Sequence, residues 1–152
     1  MATTAESRTP VHVWIVGILS LLWSCFGSYD YTMTRMRNMD YIAASMPGVD
    51  PNAAIAWVNN MPILAQIGWG LGVWLGLAGS VLLLMRHRWA VWAYGLSLVG
   101  AVLGLGYQIA LAPPLAGAHE TALMKAVPYI VILVAIALFL YARGQEKKGV
   151  LR

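Results

Sequence analysis

Apolar residues run almost unbroken through four stretches of the chain, with polar turns between them. The first, Val11 to Phe26, reads VHVWIVGILSLLWSCF and carries its character on through Tyr31. The second, Pro62 to Met85, reads PILAQIGWGLGVWLGLAGSVLLLM, and the third runs from Trp89 to Leu111. The fourth, Thr121 to Tyr141, is richest at Val127 to Leu140 (VPYIVILVAIALFL). Runs of this length outlast a buried strand and reach the roughly 20 residues that a helix needs to cross a hydrocarbon core. The pattern predicts spans at about 11–34, 62–85, 89–111 and 122–142, with a tail over 143–152.

Small residues and turn signals refine this. Gly68, Gly72, Gly76 and Ser80 recur every four residues in the second stretch, and Gly100 and Gly104 do so in the third. At that spacing they line one helix face and let a neighbouring backbone come close. The tight Arg86-His87-Arg88 link makes the second and third spans an antiparallel hairpin, so the two glycine faces are natural partners. Pro113-Pro114 stops the third span. Asn38 to Asn60 forms the longest loop, with a turn at Met46-Pro47-Gly48. Asp50-Pro51 reads as a helix start, an N-cap followed by proline at the first position. The next residues, NAAIAWVNN, make a short amphipathic piece whose Trp57 suits a membrane surface. The expected fold is an all-α integral membrane protein. It is a four-transmembrane-helix bundle with a short interfacial helix in the first periplasmic loop, forming one membrane domain over residues 1–152.

Composition agrees. The chain is 60% hydrophobic and 11% charged, less than half the charge of an ordinary soluble domain, about 25%. Its net charge of +4 sits in short loops beside apolar runs, with no basic stripe interleaved with aromatics, which argues against nucleic acid. Arg8, Arg86, Arg88, Arg143, Lys147, Lys148 and Arg152 gather on one side, and Arg35, Arg37 and Lys125 on the other. The positive-inside rule then puts both termini in the cytoplasm of a bacterial inner membrane. Residues Met1 to Pro10 read as a polar, disordered lead. The lone Cys25 excludes a disulfide within one chain. Leu22-Trp23-Ser24-Cys25 is a poor version of a lipoprotein box, because Trp23 stands where a small residue is usual, so Cys25 reads first as a buried thiol.

Polar residues collect at one end of the expected bundle: Asp30, Tyr31, Thr34 and Arg37 from the first span and its exit, Gln66 from the second, Gln108 beside Tyr107 from the third, and Lys125 near Tyr129 from the fourth. Asp30, Thr34 and Arg37 share a helical face if the first helix continues that far. An acid at that level is costly in lipid unless paired or wet. The cluster therefore reads either as a periplasm-facing pocket for a ligand or partner, or as an interfacial belt. No catalytic residues emerge. His12, His87 and His119 do not project from facing spans into a core, and no Cys/His cluster has metal-ligand spacing, so neither metal nor other cofactor is expected. Ser20 and Ser24 lack a nearby base, so their hydroxyls are expected to bond back to the helix backbone.

The runs WSCFGSYDYTMTRMRNMDY, GVWLGLAGSVLLLMRHRWAV and YARGQEKKGVLR resemble a family of small proteobacterial inner-membrane proteins with four helices and uncharacterised function. Some of its members carry the label sugar transporter. The most specific element is D-Y-x-x-T-x-x-R, here Asp30, Tyr31, Thr34 and Arg37; Gly48 to Asn60 departs from the family pattern. The resemblance implies the fold and the motif, but no activity. A non-enzymatic accessory or partner-binding component of a larger membrane complex is the first reading. A small-solute, sugar-like transporter or binder acting as a homo-oligomer around Asp30 is the alternative. A transporter needs a continuous polar path between the helices, whereas an accessory protein needs only a dry half and apolar or glycine-lined outer faces. A reporter fused after Arg152 is expected to read out as cytoplasmic; a periplasmic readout overturns the orientation.

Overall fold

A computed structural model describes residues 9–115, 117 and 122–152. The expectations for the leading residues, Arg8, His119 and Thr121 fall outside them. All regular structure among the described residues is helical: α1 (Val11–Arg35), α2 (Met39–Ser45), α3 (Pro51–Asn59), α4 (Ile63–Leu84), α5 (Trp89–Ala110) and α6 (Ala122–Lys147). Four of them, α1, α4, α5 and α6, are long and apolar enough to cross a membrane. They stand in a row, α1 on α4, α4 on α5 and α5 on α6, while α1 and α6 make little contact with each other. The end that carries α2 and α3 is here the loop end; the other, with the α4–α5 turn and Arg152, is the tail end.

The helix ends follow from a shared chemistry. At the close of α1, Arg37 takes φ 57°, and the amides of Arg37 and Asn38 donate back to the carbonyls of Thr34 and Met33. At the close of α4, Arg86 takes φ 58°, and the amides of Arg86 and His87 donate to Leu83 and Leu82. Gly149 does the same after α6. This double back-bond satisfies the last carbonyls of a helix and needs a left-handed residue. At the two arginines that conformation costs roughly 1–2 kcal/mol. Arg37 therefore lies beyond the end of α1, so the helical face expected to join Asp30, Thr34 and Arg37 does not form. The loop 38–60 also holds one more helix than the pattern predicted. Asn38 caps α2 by accepting from the Tyr41 amide (2.9 Å), and Asp50 caps α3 by accepting from the Asn52 amide (3.0 Å). Ile42, Val49 and Ala54 bury themselves between these helices against Leu115, a small apolar cap over the loop end.

The α4–α5 pairing is the tightest in the bundle. A Cβ placed on Gly100 would lie 2.6 Å from both the Gly68 oxygen and the Gly72 nitrogen, and one on Gly104 would lie 2.9 Å from the Trp69 nitrogen. These are backbone atoms that cannot step aside. Ser97 Oγ donates to the Gly72 carbonyl at 2.6 Å across the same seam. On the other face of α4, Gly17, Ser20, Ser24 and Ser28 of α1 form the buried stripe. The Tyr94 hydroxyl on α5 lies 3.1 Å from both Ser20 Oγ on α1 and Ser80 Oγ on α4, and Ser24 Oγ is 3.1 Å from Ser80 Oγ. One buried cluster of hydroxyls thus joins three helices. Ser20 also donates to the Gly17 carbonyl, as the sequence led one to expect, whereas Ser24 reaches across to α4.

Residues 143–152, read from the sequence as a basic tail, pack onto the bundle. α6 continues through Lys147, and the last residues fold back onto the α4–α5 turn. The Arg88 amide donates to the Arg152 carbonyl (3.0 Å) and the Arg152 amide to the Arg86 carbonyl (2.8 Å). Leu151 is buried with Leu83, Ala90, Tyr94 and Ala142. Gly100→Ala is expected to force α4 and α5 apart and to destabilise the bundle by about 1–3 kcal/mol. Gly106→Ala, whose Cβ meets nothing within 4 Å, should leave stability unchanged or slightly raised. Denaturant unfolding of the two variants side by side in mixed micelles checks this.

Candidate functional site

Because α1 and α6 stand at opposite ends of the row, a cavity of about 400 Å³ remains between them. Its floor is the glycine-rich seam of α4 and α5, at Gly72, Gly76, Ser97, Ala101 and Gly104; its walls are Trp23, Phe26 and Gly27 of α1 and Val127, Val131, Val134, Ala135 and Leu138 of α6. Phe26 is 68% exposed and Val127 47%, so the cavity opens sideways between α1 and α6. At the tail end the gap closes where His12 Nδ1 meets the Tyr141 hydroxyl (2.5 Å). At the loop end Met46, Trp57, Val58 and Met61 roof it. Trp57 is held there by its ring N–H, which donates to the Pro113 carbonyl at 2.8 Å.

The lining is apolar apart from two groups. Ser24, Tyr94 and Ser97 reach it near the floor, with their hydroxyls already engaged between helices. Asp30, Thr34 and Gln108 reach it toward the loop end. Of the sequence-predicted residues, these last three are brought together around one space. The others are not. Tyr31 packs edge-on to Trp69, with ring centroids 4.7 Å apart, and to Trp74. Gln66 accepts from Arg35 (3.1 Å) and donates to the Met61 carbonyl (2.9 Å), bracing the start of α4. Arg37 lines a separate hollow of about 130 Å³ with Thr34, Arg35, Ile55, Val58 and Asn59. Lys125 is exposed on α6 and does not line the cavity.

Among the described residues, Asp30 is the only charged one in the cavity lining. Its Oδ1 accepts from the Tyr41 hydroxyl of α2 at 2.8 Å, and the Tyr29 and Tyr41 rings meet edge-to-face at 5.4 Å. Among the described residues no basic side chain forms an ion pair with it. The Tyr41 phenol is pushed up from 10.0 to about 12, first by partial burial and then by the hydrogen bond and negative charge of Asp30. It therefore stays a proton donor and holds α2 onto α1.

Sequence reasoning did not place Tyr41, Trp23 or Trp69 at the site, used Arg35 only for orientation and gave Trp57 to the membrane surface. A signal for Arg35 existed: Tyr31 and Arg35 are four apart on α1, and Gln66 and Gly70 four apart on α4, and each pair meets its counterpart. Among the described residues no three His, Cys, Asp or Glu side chains converge in a metal-binding group. Comparison with protein-family models, curated proteins and solved structures gives no match.

A raised phenol contributes stability fully below its unfolded value near 10 and loses it as the pH climbs to about 12. α2 is expected to loosen from α1 across that window. Asp30→Asn should bring the Tyr41 titration down, because the hydrogen bond to a charge and the charge itself both go. NMR of ring-labelled tyrosine, assigned by Tyr41→Phe, reads both effects.

Proposed function

We propose that the chain is a non-enzymatic, partner-binding component of a membrane complex, seated in the bacterial inner membrane with both termini in the cytoplasm. The observation that carries this reading is α6. It is the most hydropathic of the four long helices, yet only 6% of its most apolar 18-residue window is buried. A helix that packs mainly on one neighbour in its own bundle leaves much of its apolar surface for lipid or for another protein's helix. α5 supports the same view from the opposite side: it is the best buried of the four, at 39%, and acts as the inner pillar. The resemblance to the four-helix inner-membrane family fits this placement. In it, α3, with its Trp57, lies along the membrane surface.

The sugar-like alternative has less to work with. A polyhydroxylated solute needs many hydrogen-bond partners, because unmet polar groups on either side are costly. Among the described residues, Asp30, Thr34 and Gln108 are the only polar side chains lining the loop end of the cavity, and the wall from Val127 to Leu138 is hydrocarbon. A continuous polar path between the four helices has no support among the described residues.

Extraction from native membranes in a mild detergent tests the proposal. The tag belongs on the N-terminal side, since the Arg152 carbonyl is bonded to the α4–α5 turn. A larger species that holds a second protein in fixed ratio is expected, and large-side-chain substitutions at outward positions of α6 such as Leu133, 64% exposed, should release it. Elution as a lone chain or as a homodimer sinks the proposal.

A further inference from the structure

We infer that the cavity between α1 and α6 is a binding site for a hydrophobic organic cation, a compact apolar body carrying one positive charge and no phosphate. Three observations lead there. First, the space is the size of a small-molecule site, about 400 Å³, and has the usual make-up of one: apolar walls with a few polar groups, here the charged one at the loop end. Second, among the described residues its only charge is the Asp30 carboxylate, which has a phenol as partner and no cation. A carboxylate at the edge of an apolar cavity is costly until a positive charge joins it. Third, Trp23, Trp57 and Trp69 line the same cavity. Indole faces are the strongest aromatic partners of a cation, and cages of them recognise ammonium groups. Trp57 and Trp69 are each held in place, by the Pro113 carbonyl and by Tyr31.

Geometry sets the polarity of the bound molecule. The hydrocarbon part fills the space between the α6 wall and the glycine floor, and the positive charge lies toward Asp30. Arg35 and Arg37 line the neighbouring hollow and not this one, and Arg35 is bonded to Gln66. An ordinary phospholipid fits poorly, since its phosphate would face a carboxylate of the same sign. Entry is from the side, past Phe26 and Val127, for a molecule that partitions into the hydrocarbon first.

The inference is independent of the partner reading, because the isolated chain tests it. Purified full-length protein in an uncharged detergent is dialysed to equilibrium against tetraphenylphosphonium, with protein-free micelles as the blank. Tetraphenylborate, the same shape with the opposite charge, runs in parallel. Saturable uptake of the phosphonium at one per chain is expected, with the borate at least tenfold weaker. Asp30→Asn should weaken phosphonium binding about tenfold, and Ala135→Trp, which fills the cavity from the α6 wall, should abolish it. Both variants are first shown to elute as the parent does; if Asp30→Asn does not, Ala135→Trp and the borate comparison decide. Uptake no greater than in empty micelles, equal binding of the two ions, or undiminished binding in a correctly eluting variant overturns the inference.

Discussion

Everything in this bundle hangs on the approach of two backbones. α4 and α5 meet at Gly68, Gly72, Gly100 and Gly104 so closely that one added carbon would strike a carbonyl or an amide. In hydrocarbon, helices gain nothing from hiding apolar side chains, so contact depends on close van der Waals packing. Bringing the backbones together maximises that contact and lets Ser97 bond directly to the Gly72 carbonyl. The tight pairing also leaves no side chains to fill the space above the seam. The floor of the cavity is therefore a by-product of the strongest contact in the molecule.

Around that pair the polar groups take two different parts. The hydroxyls of Ser20, Ser24, Ser80 and Tyr94 are spent on joining α1, α4 and α5. Such bonds between buried groups specify one arrangement among several that apolar packing alone would accept. At the loop end the polar groups face a space. Asp30 carries a charge into the lining, and α2 is recruited to it through Tyr41. The short helices are part of the site's construction, since α2 supplies the phenol and α3 the tryptophan that roofs the cavity.

Much of this was legible in the chain. Four apolar runs, the tight Arg86-His87-Arg88 turn and the spacing of Gly68, Gly72, Gly100 and Gly104 depend on local pattern, and local pattern survives folding. The Asp50-Pro51 start of α3 is legible for the same reason. What escaped was one local chain reversal and whatever depended on a long-range partner. Arg37 belongs by spacing to the face of Asp30 and Thr34, but the back-bonded end of α1 turns it away. Residues 143–152 read only as a basic tail because their contacts, the α4–α5 turn and the pocket around Leu151, lie some 60 positions earlier in the chain. Tyr94 gives no sign in sequence that it is the meeting point of three helices.

The asymmetry of α6 has a mechanical consequence. Its tail end is fastened three ways: by the bond between His12 and Tyr141, by Ala142 in the core, and by the fold-back of Leu151 and Arg152 onto the α4–α5 turn. Along the rest of its length its main partner among the described helices is α5. A rod fixed at one end and packed along one face tilts most easily about its fixed end. A small tilt about Ala142 widens the far mouth most and leaves the three-helix block undisturbed. Such a tilt would disturb the α5–α6 packing and leave the glycine seam and the hydroxyl cluster, which lie on α1, α4 and α5, in place.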